Sequence, residues 1–160
     1  MQPELRALVE ILNLNTRLFH NCLEGLDDGT ATRRPNHDTN NIAFIAVHLA
    51  DARYALARYL GHETQSPFPE LAAVRSINEM AIFSKLKDIE AGWSAISPVL
   101  SDLLATVSED QLGLPSSMRF PVEDSTTLGG IAFLLQHESF HLGQLALLRK
   151  YFGCGPMKYQ

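Results

Sequence analysis

The chain has 160 residues, 46% hydrophobic and 19% charged, enough to bury one substantial core and too few for two ordinary domains, so a single domain over 1–160 is expected. Its formal net charge is −5 and its 13 Lys and Arg are scattered, which leaves no phosphate-backbone footprint and makes nucleic acid an unexpected partner. No stretch approaches the roughly 18 consecutive apolar residues that cross a bilayer, and MQPELRALVEIL carries Glu4, Arg6 and Glu10, so no membrane span or leader is expected and the protein reads as soluble and cytoplasmic.

Four long helical segments follow one another. The first runs from Pro3, suited to the first helical position, to Glu24, with Gly25 as a stop; Leu5, Leu8, Leu12, Phe19 and Leu23 make one buried stripe. The turn-rich GLDDGTATRRPNHDTNN connects it to the second, about Asn41–Leu60, with Thr39 or Asn40 as N-cap and Gly61 as stop. The third is expected from Ser76, where Ser76 and Glu79 spell a capping box, to Val107, with a kink or a break into two abutting helices at Pro98. Residues 108–126, with two prolines and no helical period, read as an extended excursion or a lid. The fourth runs from Thr127 to Phe152 and stops at Gly153. With no alternating strand pattern, the fold class is all-α, a four-helix bundle with crossover connections. Cys22 and Cys154, far apart and outside any CxxC, are expected as free thiols.

The fourth segment contains HESFHLGQ, in which His137, Glu138 and His141 spell H-E-x-x-H. At about 100° per residue, His137 and His141 share a face with Gly130, Phe133, Leu134, Gln144 and Leu148. That face is apolar, so both imidazoles should point into the bundle. On the second segment His48 is in line with Phe44, Ile45, Ala52, Ala55 and Tyr59, again an inward stripe. Two readings stand at this point. The histidines are core residues hydrogen-bonded to neighbours, or they share a cation, which would satisfy three ring nitrogens at once. His20, His37 and His62 lie off these stripes or in loops and are expected to be solvated.

A zinc-protease reading fails on the sequence. After His141 come LGQLALLRKYFGCGPMKYQ, without His, Asp or Glu, so no downstream third ligand exists. No edge strand offers to hold a peptide. Glu138, about 80° from the midpoint of the two histidines, either flanks a bound metal as proton acceptor or faces solvent and pairs with a basic side chain.

HLADARYALARYLG around His48 and HESFHLGQLALLRKYFG around His137 and His141, on the second and fourth helices, resemble the DinB/YfiT-like superfamily of metal-binding four-helix bundles. The resemblance covers the whole chain in helix order, and its specific part is H-L-A-D and H-x-x-x-H-x-G-Q. It implies that His48, His137 and His141 are ligands of a divalent metal ion, zinc or nickel foremost. It also makes Gln144 a second-layer or substrate contact, and Asp51 a residue that orients a histidine or anchors a neighbouring helix. Relatives of this kind include thiol-dependent S-transferases and proteins described as metal-dependent hydrolases. The resemblance therefore implies a small-molecule substrate, a low-molecular-weight thiol as cofactor, and a homodimer.

Three functions follow. In the first, a thiol bound to the metal is held as thiolate and attacks an electrophile. The second is hydrolysis of a small amide or ester by metal-activated water, with Glu138 or a loop residue taking the proton. The third is metal or ligand binding without turnover.

Overall fold

A computed structural model describes residues 1–72, 74 and 76–160, with no strand among them. Six α-helices are present: α1 (Arg6–Leu23), α2 (Asp28–Thr32), α3 (Ile42–Tyr59), α4 (Leu86–Thr106), α5 (Glu109–Gly113) and α6 (Thr127–Tyr151). None of them is long and apolar enough to cross a membrane. The three glycine stops hold: Gly25, Gly61 and Gly153 take φ of 75°, 86° and 81°, left-handed backbone that only glycine adopts without penalty.

The helix starts depart from the sequence reading in two places. The cap of α3 is Asn41, whose side chain accepts from Phe44 N at 2.8 Å, not Thr39 or Asn40. The Ser76–Glu79 motif opens only a 3-10 turn, Ile77–Glu79, and α4 begins at Leu86. What starts α4 is remote in sequence: the Asp28 carboxylate accepts from Leu86 N at 2.9 Å. Pro98 stays inside one continuous α4, so the segment does not divide into two helices. The connections 24–41 and 107–126 each contain a short helix, α2 and α5, and residues 115 and 126 form an isolated antiparallel bridge.

The four long helices close a ring in which α1 packs against α4 and α6, and α3 packs against the same two. Consecutive α1 and α3 are thus diagonal, as are α4 and α6, so the connections 24–41 and 107–126 are crossovers. Trp93, Phe19, Leu12, Leu49, Ile89, Leu100, Leu104, Ile131 and Leu135 fill the middle and are essentially inaccessible. Each such side chain contributes about 1.5–3 kcal/mol relative to exposure. Both cysteines are free.

The core also holds an ion pair. Arg53 of α3 and Glu138 of α6 are 1% and 4% exposed, and the guanidinium grips the carboxylate with both teeth, Nε to Oε2 at 2.8 Å and NH2 to Oε1 at 2.7 Å. The remaining Arg53 protons reach Thr16 Oγ1 at 2.9 Å, Ser97 Oγ at 2.6 Å and the Leu12 carbonyl at 3.3 Å. The guanidinium carbon also lies 3.5 Å from the Trp93 ring centre. All four long helices therefore contribute to one buried charge pair whose polar atoms are satisfied, the condition under which such a pair is tolerated. Arg53→Ala should destabilise the protein by about 3–5 kcal/mol in urea unfolding, because it strands a buried carboxylate. Arg53→Met combined with Glu138→Leu should recover most of that loss. A loss below about 1 kcal/mol for the single change would remove the pair from the account of the fold.

Candidate metal centre

Asn41 and the apolar first turn start α3 so that Phe44, His48 and Asp51 follow one another along one face, roughly a turn apart. This face is half-buried rather than fully inward as the sequence suggested; the deep core uses the neighbouring face with Ala46, Leu49, Ala50, Arg53 and Ala57. On α6, His137 and His141 stand one turn apart. Close helix contact nearby depends on Gly130, where a Cβ would come within 2.3 Å of the Tyr59 hydroxyl and 2.8 Å of the Phe120 ring. Phe120, from the 115–126 connection, packs against Tyr59 and Phe133, and Phe133 lies against His137.

His48, His137 and His141 come together. Nε2 of His137 is 3.2 Å from Nε2 of His48 and 3.1 Å from Nε2 of His141, and one ring nitrogen from each residue lies within 4.8 Å of the others. Nitrogens bound tetrahedrally to zinc at about 2.0–2.1 Å stand about 3.3 Å apart, close to this spacing. Gln144 determines the tautomer of His141: its Oε1 lies 2.6 Å from His141 Nδ1 and can only accept, so Nδ1 carries the proton and Nε2 presents a lone pair to the cluster. Three nitrogens directed at one point cannot satisfy one another with hydrogen bonds alone, whereas a cation between them satisfies all three. These residues could therefore hold a metal ion.

Burial lowers the imidazole of His48 to about 4, helped by His141, and lowers that of His137 to about 4, helped by His141 and His48. Both rings are neutral at pH 7, as ligation requires. Nδ1 of His137 is the one buried side-chain polar atom without a hydrogen-bond partner among the described residues. Leaving it so costs about 1–3 kcal/mol, tolerable where the other nitrogen has a strong partner.

The remaining residues singled out by sequence fall in different places. Glu138 neither flanks the triad nor faces solvent: it is buried, and both carboxylate oxygens are held by Arg53, so of the second alternative only the pairing with a basic side chain holds. Asp51 neither orients a histidine nor anchors a helix; it makes no hydrogen bond or ion pair among the described residues and lines a cavity of about 310 Å³ with Phe44, His48, Leu71, Val74 and His141. His20 bonds Glu90, while His37 and His62 are exposed, away from the cluster. Leu71 and Val74 were not anticipated. They are held over α3 because Phe68, 3% exposed, is seated on Gly92, where a Cβ would come within 2.6 Å of its ring. Phe68 next to Pro67 and Pro69 in a polar stretch was the available signal.

Because both folded-state values lie below the ordinary imidazole value, the unfolded chain takes up these protons first. Stability should be level above about pH 6.5 and fall between there and about pH 4. Thermal melts of the metal-free protein across that range should show the decline, and His48→Gln with His137→Gln should flatten it. An equal slope in the variant would assign the decline to other groups.

The chain matches the DinB superfamily over residues 11–145. A crystal structure of a conserved protein from Enterococcus faecalis superposes with a TM-score of 0.75 at 13% sequence identity, covering 97% of this chain and 99% of that one, which speaks for the fold alone. No curated protein sequence matches. With α3, α4 and most of α1 and α6 inside the matched region, the chain belongs to the DinB superfamily.

Proposed function

We propose that His48, His137 and His141 bind a divalent metal ion, zinc or nickel, and that the protein is a metal-dependent S-transferase that joins a low-molecular-weight thiol to a small electrophile. The observation that carries this reading is the convergence of three Nε2 atoms, two of the separations being 3.1 and 3.2 Å, from two helices. Held by these three imidazoles, a divalent cation would have room for a further ligand and, as a Lewis acid, would lower the pKa of a thiol bound there.

The chain's own residues do the rest. Gln144 holds His141 in the ligating tautomer, and desolvation keeps His48 and His137 unprotonated. Phe44, Leu71 and Val74 give the cavity beside His48 and His141 an apolar wall, which would limit water around a thiol bound there. The nucleophile is not one of the protein's own thiols. Cys22 is fully buried, donates toward Met157 Sδ at 3.1 Å and is pushed up to about 12 by burial, while Cys154 lies past the end of α6. An added thiol has to supply it.

Hydrolysis of a small amide or ester has less support, because the carboxylate first considered as its proton acceptor, Glu138, is engaged by Arg53. Elemental analysis of tag-free wild type beside His48→Ala, both checked by circular dichroism, should find near-stoichiometric metal only in the wild type. Gln144→Leu should weaken metal affinity by about 10–100-fold while leaving the fold intact. A wild type that stays metal-free after zinc and nickel are supplied would end the proposal. Turnover without any added thiol would shift it to hydrolysis, and metal-dependent melting without turnover on a thiol and electrophile panel would leave a binding protein.

A further inference from the structure

Asp51 is a carboxylate without a protein partner among the described residues, half-buried in the cavity onto which two members of the histidine cluster open. It follows His48 by three residues, which places it about 4.5 Å further along the α3 axis. Phe44 precedes His48 by a turn, and Leu71 and Val74 close the opposite side. The cavity, about 310 Å³, corresponds to roughly ten water volumes, room for a small molecule and not for a peptide segment. Of the six described lining residues, three are apolar, two are the histidines, and one is an anion. Among the described residues, the nearby basic side chains on α3 point elsewhere: Arg53 is committed to Glu138, and Arg58 lines a separate hollow with Gly61–Gln65.

We infer that this cavity selects ligands carrying a cationic amine, with the ammonium paired to Asp51 and the metal-seeking head group two or three carbons away at the histidine cluster. The inference rests on the metal and thiol reading above and adds a ligand class to it. The reasoning is one of charge matching. With the charge of a bound cation offset by the thiolate it would hold, a second anionic group would face the Asp51 carboxylate, a neutral one would strip water from it without replacement, and an ammonium would restore the lost hydrogen bonds with opposite charge. Asp51 is then a specificity residue that contacts the ligand.

The test uses the full chain loaded with cobalt(II), whose visible bands report the ligand set and whose near-ultraviolet charge-transfer band reports a bound thiolate. Wild type and Asp51→Asn are titrated with cysteamine, its one-carbon-longer homologue, 2-mercaptoethanol and 3-mercaptopropionate. These probes share a thiol and differ in carrying an ammonium, a hydroxyl or a carboxylate. In wild type the better aminothiol should bind about tenfold or more tightly than 2-mercaptoethanol, with 3-mercaptopropionate weakest. In Asp51→Asn the three classes should converge, with cobalt stoichiometry and visible bands unchanged. Equal affinities in wild type, or the same order in both proteins, would overturn the inference. So would visible cobalt bands without a charge-transfer band for any thiol, since the cavity would then not serve the metal. Failure of cobalt to bind at all is a different result, visible at the first step, and would remove the metal reading together with what is built on it.

Discussion

The relation between α3 and α6 rests on the grip of Arg53 on Glu138. The pair links positions 85 residues apart in sequence, and the His48–His137 contact links positions 89 apart on the same two helices. His137 is the residue before Glu138, and His48 lies five before Arg53, so the ion pair fixes rotation and register of both helices within about a turn and a half of the histidines. A cation arriving at the triad need not draw two helices together. The three histidines already stand on a braced frame, and a cation held by them would spend no binding energy on closing the chain.

The same pair accounts for the electrostatics beside it. An unpaired carboxylate adjacent in sequence to His137 would favour its imidazolium. Here the charge of Glu138 is matched by Arg53 at hydrogen-bond distance, and desolvation leads the effects acting on His137 and His48. The interior thus keeps two full charges and two neutral imidazoles within neighbouring turns. Arg53 neutralises the acid, and burial neutralises the bases. The H-E-x-x-H spelling that suggests a protease is divided between two tasks, its histidines turned to the cluster and its glutamate turned to the core.

What was legible in the sequence was whatever depends on local periodicity. The four long helices, their glycine stops, the crossover arrangement and the shared direction of His48, His137, His141 and Gln144 all follow from spacing, because a helix fixes side-chain direction within a few degrees per residue. What was not legible depends on contacts across the chain. Ser76 and Glu79 have the right spacing for a capping box, yet α4 is started by Asp28, 58 residues earlier in the chain. Spacing left Glu138 between the metal and solvent, and the position of Arg53 on another helix takes it to neither, but into the core. Arg53 itself was visible as a basic residue among Ala50, Tyr54, Leu56 and Ala57, a place where a charge survives only with a partner. Leu71 and Val74 reach the cavity through the packing of Phe68 on Gly92, which no periodicity encodes.

The chain contains one tryptophan, and that residue lies under the Arg53 guanidinium, with the Phe19 ring stacked on it at 4.0 Å and no solvent exposure. Its intrinsic fluorescence is therefore light from a single site, emitted from an indole shielded from water. Any event that loosens the centre of the bundle appears as a red shift of that emission even while the helices remain wound. Circular dichroism and tryptophan emission read different parts of this molecule, and the wavelength of one photon band distinguishes a slackened interior from a melted one.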